Sequence, residues 1–173
     1  ALPDIGKPKW IYLSSLGPHA KDLHFEIIEY MKTHTDVKLA FQPGTFQLEW
    51  KNEIAELYKY VNVLCVNKEE AEELLNMEGA EIKKLLDGLG SMGPKIAIIT
   101  DGHNGAFIKN EDKYFNMPIY PDIAKPFERT GAGDAFFSTL ISFLAKGNDL
   151  EYALMRAPIN SMNVVQYVGA QEG

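Results

Sequence analysis

The sequence predicts an α/β sandwich built on a mostly parallel sheet with an antiparallel hairpin at its edge. Three observations carry that expectation. Short apolar runs alternate with amphipathic stretches through the first hundred residues, the pattern of parallel strands joined by crossover helices. The alternation then gives way to two runs separated by a short polar loop. Finally, the chain closes on two helical segments divided by Gly147, Asn148 and Asp149.

Residues 10–13, 38–41, 61–66 and 95–100 are short apolar runs and read as strands. Between them Leu23, Ile27 and Met31 share one helical face, Ile54, Leu57 and Val61 a second, and Ile82, Leu85, Leu86 and Leu89 a third. Residues 105–109 and 113–118 flank Asn110, Glu111 and Asp112, a loop suited to a hairpin. After the proline-bearing segment 117–127 come helices over about 132–146 and 150–168. Gly147 suits the C-terminal end of the first, and Asn148 or Asp149 the N-cap of the second. No internal repeat, low-complexity stretch or strong linker divides residues 1–173, which read as one domain.

At 46% hydrophobic and 24% charged, 173 residues can bury a real core. A net charge of -7 argues against a nucleic-acid partner, whose phosphates require clustered Lys and Arg. A phosphate ligand must then be held by backbone donors, a metal ion and a few basic side chains, of which Lys125 and Arg129 are nearest the glycine turn described below. The single cysteine, Cys65, lies in the apolar run Val63-Leu64-Cys65-Val66, so no disulfide forms within the chain, as suits a reducing cytoplasm. The first residues have no signal-peptide pattern, and no apolar run approaches membrane-spanning length. The expectation is a soluble, cytoplasmic protein without a membrane partner. His19, His24, His34 and His103 show no metal-binding spacing, which argues against structural zinc.

The most informative segment is Thr130-Gly131-Ala132-Gly133-Asp134-Ala135-Phe136, a glycine turn running into an apolar helix. The first N–H groups of a helix lack intrahelical partners and carry the positive end of its dipole, so a glycine-lined entry invites an anion. A carboxylate beside that site repels the ligand unless it has a proton to accept, which points to Asp134 as a general base in phosphoryl transfer. The structural alternative is that Asp134 merely complements the helix dipole. Asn67 and Glu70 follow a strand at helical spacing; together they can hold the hydration shell of Mg²⁺, or form a capping box. Thr100-Asp101-Gly102-His103-Asn104-Gly105 ends another strand, where a hydroxyl and two glycines suit either a nucleotide's phosphates or a plain turn.

The three motifs, in this order, make the chain resemble the ribokinase/PfkB-type carbohydrate kinases, whose signatures are Asn-x-x-Glu, Thr-x-Gly-x-x-Gly and Asp-Thr-x-Gly-Ala-Gly-Asp-x-Phe. The resemblance implies a ribokinase-like three-layer α/β/α sandwich and ATP-dependent phosphoryl transfer to a hydroxyl of a sugar or nucleoside. It assigns Asp134 as catalytic base, Gly131, Ala132 and Gly133 as the anion hole, Asn67 and Glu70 to Mg²⁺, and Thr100, Gly102 and Gly105 to ATP. Asn160 falls in a stretch that looks like the family's adenine-side helix, which closes on Gly169 and Ala170.

Two departures qualify what the resemblance implies. Glu128 and Arg129 stand where the family has Asp and Thr, which argues against a monovalent-cation site. The family's sugar-contacting Asp, Gly-Gly pair and lid strands do not occur before Trp10. The chain therefore reads as the C-terminal portion of such a kinase, incomplete at the N-terminus, with reduced or no activity alone. An open sheet edge would favour association with another chain, a second copy included. The competing readings are a non-catalytic nucleotide-binding or regulatory module on the same scaffold and a dinucleotide-dependent oxidoreductase. The latter lacks a Gly-x-Gly-x-x-Gly turn after its first strand.

Overall fold

The computed structural model describes residues 4–121 and 130–166. Two compact units make up the chain: Ala1–Ile99 with Phe107–Phe115, and Thr100–Ala106 with Asn116–Gly173. Among the described residues are six strands and six α-helices.

The strands are β1 (Trp10–Leu13), β2 (Lys38–Phe41), β3 (Val61–Asn67), β4 (Ile96–Thr100), β5 (Ala106–Asn110) and β6 (Lys113–Met117). They form one sheet in that order, so β1 and β6 are its outer strands. β1, β2 and β3 pair in parallel, joined by the crossover helices that parallel pairing requires. Only Glu111 and Asp112 link β5 to β6, which makes that pair antiparallel, and the sheet as a whole is mostly parallel. The register of β2 on β3 slips between Leu39 and Ala40, where Val61 and Val63 are successive partners. Asn62 repairs the slip, because its Oδ1 accepts the Leu39 N–H at 2.8 Å.

The first unit holds helices α1 (Lys21–Thr33), α2 (Thr45–Glu49), α3 (Lys68–Leu75) and α4 (Ile82–Ser91). The predicted apolar faces of α1 and α4 are buried through Ile27, Met31, Leu85, Leu86 and Leu89. They join Leu39, Phe41, Leu64 and Ile99 from the strands in one core. Each such side chain contributes about 1.5–3 kcal/mol when fully buried. β3 and β4 are nearly continuous apolar runs, as strands covered on both faces are.

One expected face is not an α-helix. Ile54, Leu57 and Val61 fall in a turn, a 3-10 segment (Leu57–Tyr60) and the start of β3, respectively. Leu57 N–H bonds Ile54 O at 2.9 Å and Lys59 N–H bonds Glu56 O at 3.2 Å, the three-residue period of a 3-10 coil. Over so short a stretch, apolar residues three apart satisfy either period. The spacing also gave no sign of α2, whose five residues are too few to show one. Buried Gln47 anchors it, accepting the Gly44 N–H at 3.0 Å and donating to Leu16 O at 3.0 Å.

The second unit is dominated by α5 (Ala132–Ala145) and α6 (Leu150–Val164), packed on one another. Gly147 follows α5 at φ +89, the left-handed conformation expected after a helix end. Asp149 caps α6 by accepting the Tyr152 N–H at 2.7 Å. No helix among the described residues is long and apolar enough to cross a membrane.

Candidate active site

A cleft of ≈190 Å³ lies within the second unit. Three pieces of backbone supply its polar wall: Thr100 at the end of β4, the turn bearing Gly102 and Gly105, and the start of α5 at Ala132 and Gly133. Phe136, Pro158, Met162 and Val165 supply an apolar wall, with Met117, Pro118, Ile119 and Tyr120 at another side.

The turn is built for close approach. Asp101 N–H bonds Gly105 O at 2.8 Å, and Gly102 and Gly105 both have positive φ. A Cβ at Gly105 would overlap the Met117 carbonyl and stand 3.0 Å from Pro118 Cα. Only glycine therefore lets the strand leaving β6 pass so near.

At the start of α5, Gly131 is the N-cap, left-handed at φ +83, and brings no capping side chain of its own. Ala132, Gly133 and Asp134 are the first three helical residues, so their N–H groups point out of the helix end. A Cβ built on Gly133 meets no atom of the described residues within 4 Å beyond its chain neighbours and its own helix backbone, although the residue lines the cleft. Among the described residues no lining side chain is charged. An anion here would meet backbone donors and the helix dipole, worth about 0.3–1 kcal/mol where exposed and more where desolvated. Asp134 is exposed in the first turn of α5.

Thr100, Gly102, Gly105, Ala132 and Gly133 are thus gathered on one cleft. Asn160 lies on a different face of α6, where its Nδ2 donates to Thr139 Oγ1 at 2.9 Å. The cleft-facing residues here are instead Pro158, Ser161 and Met162 of α6 and Val165, its C-cap. Their spacing is that of one helical face. Sequence reasoning missed them because apolar residues at helical spacing ordinarily mean core. Pro158 inside the helix was the available signal, since proline there removes a backbone hydrogen bond. Lys125, Glu128, Arg129, Gly169 and Ala170 lie outside the described residues.

Asn67 and Glu70 belong to the first unit. Asn67 Oδ1 accepts the Glu70 N–H at 2.7 Å, and Glu70 Oε2 accepts the Asn67 N–H at 2.8 Å. This is the complete capping box, so the structural reading of the motif holds on its own terms. No group of three or more His, Cys, Asp or Glu side chains able to hold a metal occurs among the described residues. One carboxylate beside an amide fits a Mg²⁺ that arrives on phosphate oxygens and keeps its waters, the usual habit of that ion. It does not fit a cation caged by protein alone.

The chain matches relatives along most of its length. It is 29% identical to the ATP-dependent 6-phosphofructokinase of Thermoanaerobacterium thermosaccharolyticum over 143 residues, 78% of this chain and 42% of that one. It is 27% identical to the aminoimidazole riboside kinase of Salmonella typhimurium over 168 residues, covering 94% and 52% of the two chains. Its fold matches the Methanocaldococcus jannaschii nucleoside kinase, an archaeal member of the ribokinase family, with a TM-score of 0.76 at 25% identity, over 94% of this chain and 51% of that one. The chain spans about half the length of the curated relatives it matches. The fold is ribokinase-like. Residues 1–173 match the family described as pfkB family carbohydrate kinase, and the chain belongs to that family.

Proposed function

We propose that the chain carries the nucleotide-binding and proton-accepting part of an ATP-dependent kinase that phosphorylates a hydroxyl of a sugar or nucleoside. The observation that supports this reading is the convergence of the Thr100 to Gly105 turn, the glycine-lined start of α5 and an apolar face of α6 on one cleft. A nucleotide needs those surfaces: backbone donors for phosphates and an apolar wall for a base.

In this reading the N–H groups of Gly131, Ala132 and Gly133 hold the oxygens of the transferring phosphoryl group, where charge develops. As the acceptor oxygen attacks the γ-phosphorus, Asp134 takes the hydroxyl proton, and the bond to ADP breaks. Thr100, Gly102 and Gly105 line the phosphate path. Asn67 and Glu70 would hold Mg²⁺ through water; when bound, the ion neutralises charge on the phosphate oxygens. The cap that fixes Glu70 also fixes the carboxylate's position.

For this chain on its own the reading is nucleotide binding with reduced or no turnover. Calorimetric titration with Mg²⁺ and a non-hydrolysable ATP analogue tests it, using the chain and its Gly133→Val variant. Saturable binding that the variant loses is expected. A folded chain that binds no nucleotide would refute it.

A further inference from the structure

We propose that Ser161 is a positioning residue that aims the Gly133 N–H into the cleft; the inference rests on the nucleotide reading above. Ser161 sits on the cleft-lining face of α6, and its Oγ donates to the Ala132 carbonyl at 2.9 Å. That carbonyl and the Gly133 N–H are the two ends of one planar peptide group, so they point in opposite directions. Holding the carbonyl therefore sets the direction of the N–H.

The bond is unlike its neighbours. A serine hydroxyl in a helix commonly bonds a carbonyl one turn back on its own helix. Ser142 does so to Ser138 at 2.8 Å. Ser161 instead reaches across to another helix, 29 residues away in the chain. It arrives at the residue where α5 begins. There the carbonyl accepts the ordinary helical bond from the fourth residue on, while the N–H end of the peptide has no intrahelical partner. A carbonyl oxygen has two lone pairs, so Ser161 can occupy the second. Two donors on one oxygen draw electron density along the amide and strengthen its N–H as a donor. Ser161 thus fixes and polarises the peptide whose N–H the start of α5 turns to the cleft.

Ser161→Ala and Ser161→Thr test this in two measurements. In calorimetric titrations, tripolyphosphate and the ATP analogue report on the phosphate site, and adenosine on the rest of the cleft. Ser161→Ala should bind both phosphate ligands about fivefold more weakly, with adenosine affinity unchanged, and Ser161→Thr should recover the loss. In ligand-free NMR spectra the Gly133 amide should move in the alanine variant and return in the threonine variant. An unmoved Gly133 amide overturns the proposal and leaves the nucleotide reading standing. Equal losses for adenosine and the phosphate ligands would make Ser161 a packing residue and also overturn it. A wild-type chain that binds no phosphate ligand overturns both the proposal and the nucleotide reading.

Discussion

Gly133→Ala separates the stability of α5 from its use. Glycine in a helix costs roughly 0.5–1 kcal/mol relative to alanine, through the entropy of the unfolded chain. Gly133 is the second residue of α5, and its φ is not among the positive values. Among the described residues, a Cβ there meets nothing within 4 Å beyond its chain neighbours and its own helix backbone. No described residue outside its own helix turn opposes the methyl, so the variant should gain about 0.5 kcal/mol, or a rise of about 1–2 °C in Tm for a chain of this size. The same methyl should damage the cleft. Cβ atoms of a helix lean toward its N-terminus, the end from which a phosphate would approach the N–H groups. Forcing the anion off one charge-assisted hydrogen bond costs about 1.5–3 kcal/mol, or roughly 10- to 100-fold in affinity.

The assays are a calorimetric melt without ligand and a titration with the ATP analogue and Mg²⁺. A variant that is more stable and binds poorly is the expected pairing. Unchanged affinity would refute the phosphate cradle at Gly133. A clear loss of stability would refute the claim that the space beside it is open.

Other perturbations give equally definite outcomes. Gly105→Ala places a Cβ against the Met117 carbonyl at φ +85, and urea unfolding should show a loss of about 2–4 kcal/mol. Asn67→Ala should cost about 1 kcal/mol by removing the acceptor of the Glu70 N–H, whereas Asn67→Asp keeps that acceptor and should unfold near the wild-type urea midpoint. Burial holds the His24 imidazole below its ordinary 6.5, against the opposing bond of its ring Nδ1 to Ala20 O at 2.9 Å. The unfolded chain therefore takes up the proton first, so stability should fall as pH drops from about 6.5 through the lower folded value. His24→Phe, which can keep the edge contacts to Phe41 and Trp50, should lose that part of the slope in urea titrations between pH 7.5 and 5.

What the sequence revealed depended on whether local chemistry or tertiary packing decided each element. Trp10–Leu13 and Lys38–Phe41 match their expected bounds, because short apolar runs between polar turns have few other uses. The segment around Ile54 and Leu57 was misread, since both residues are fully buried and a 3-10 coil satisfies the same spacing. At the cleft, Thr100 and the glycines stood out because their residue types carry a phosphate chemistry. Met162 and Val165 did not, because the same residues would serve a core. Asn160 falls in the stretch that resembles the family's adenine-side helix, yet a one-residue step along a helix turns a side chain by about 100°, and the hydroxyl that meets the cleft is Ser161.

The glycines and prolines sort by cause once the space around them is considered. Gly88, in α4, has a packing reason: a Cβ there would stand 2.7 Å from Leu75 Cδ1. Gly93 has one too, since its Cβ would stand 2.7 Å from the Tyr58 carbonyl oxygen. Gly133 has none among the described residues. Pro158 gives up a backbone bond inside α6, at a site where a helix former would cost about 3 kcal/mol less. Both residues line the same cleft. Sequences depart from local stability where function requires it, and here two such departures, on two different helices, face one space large enough for a ligand.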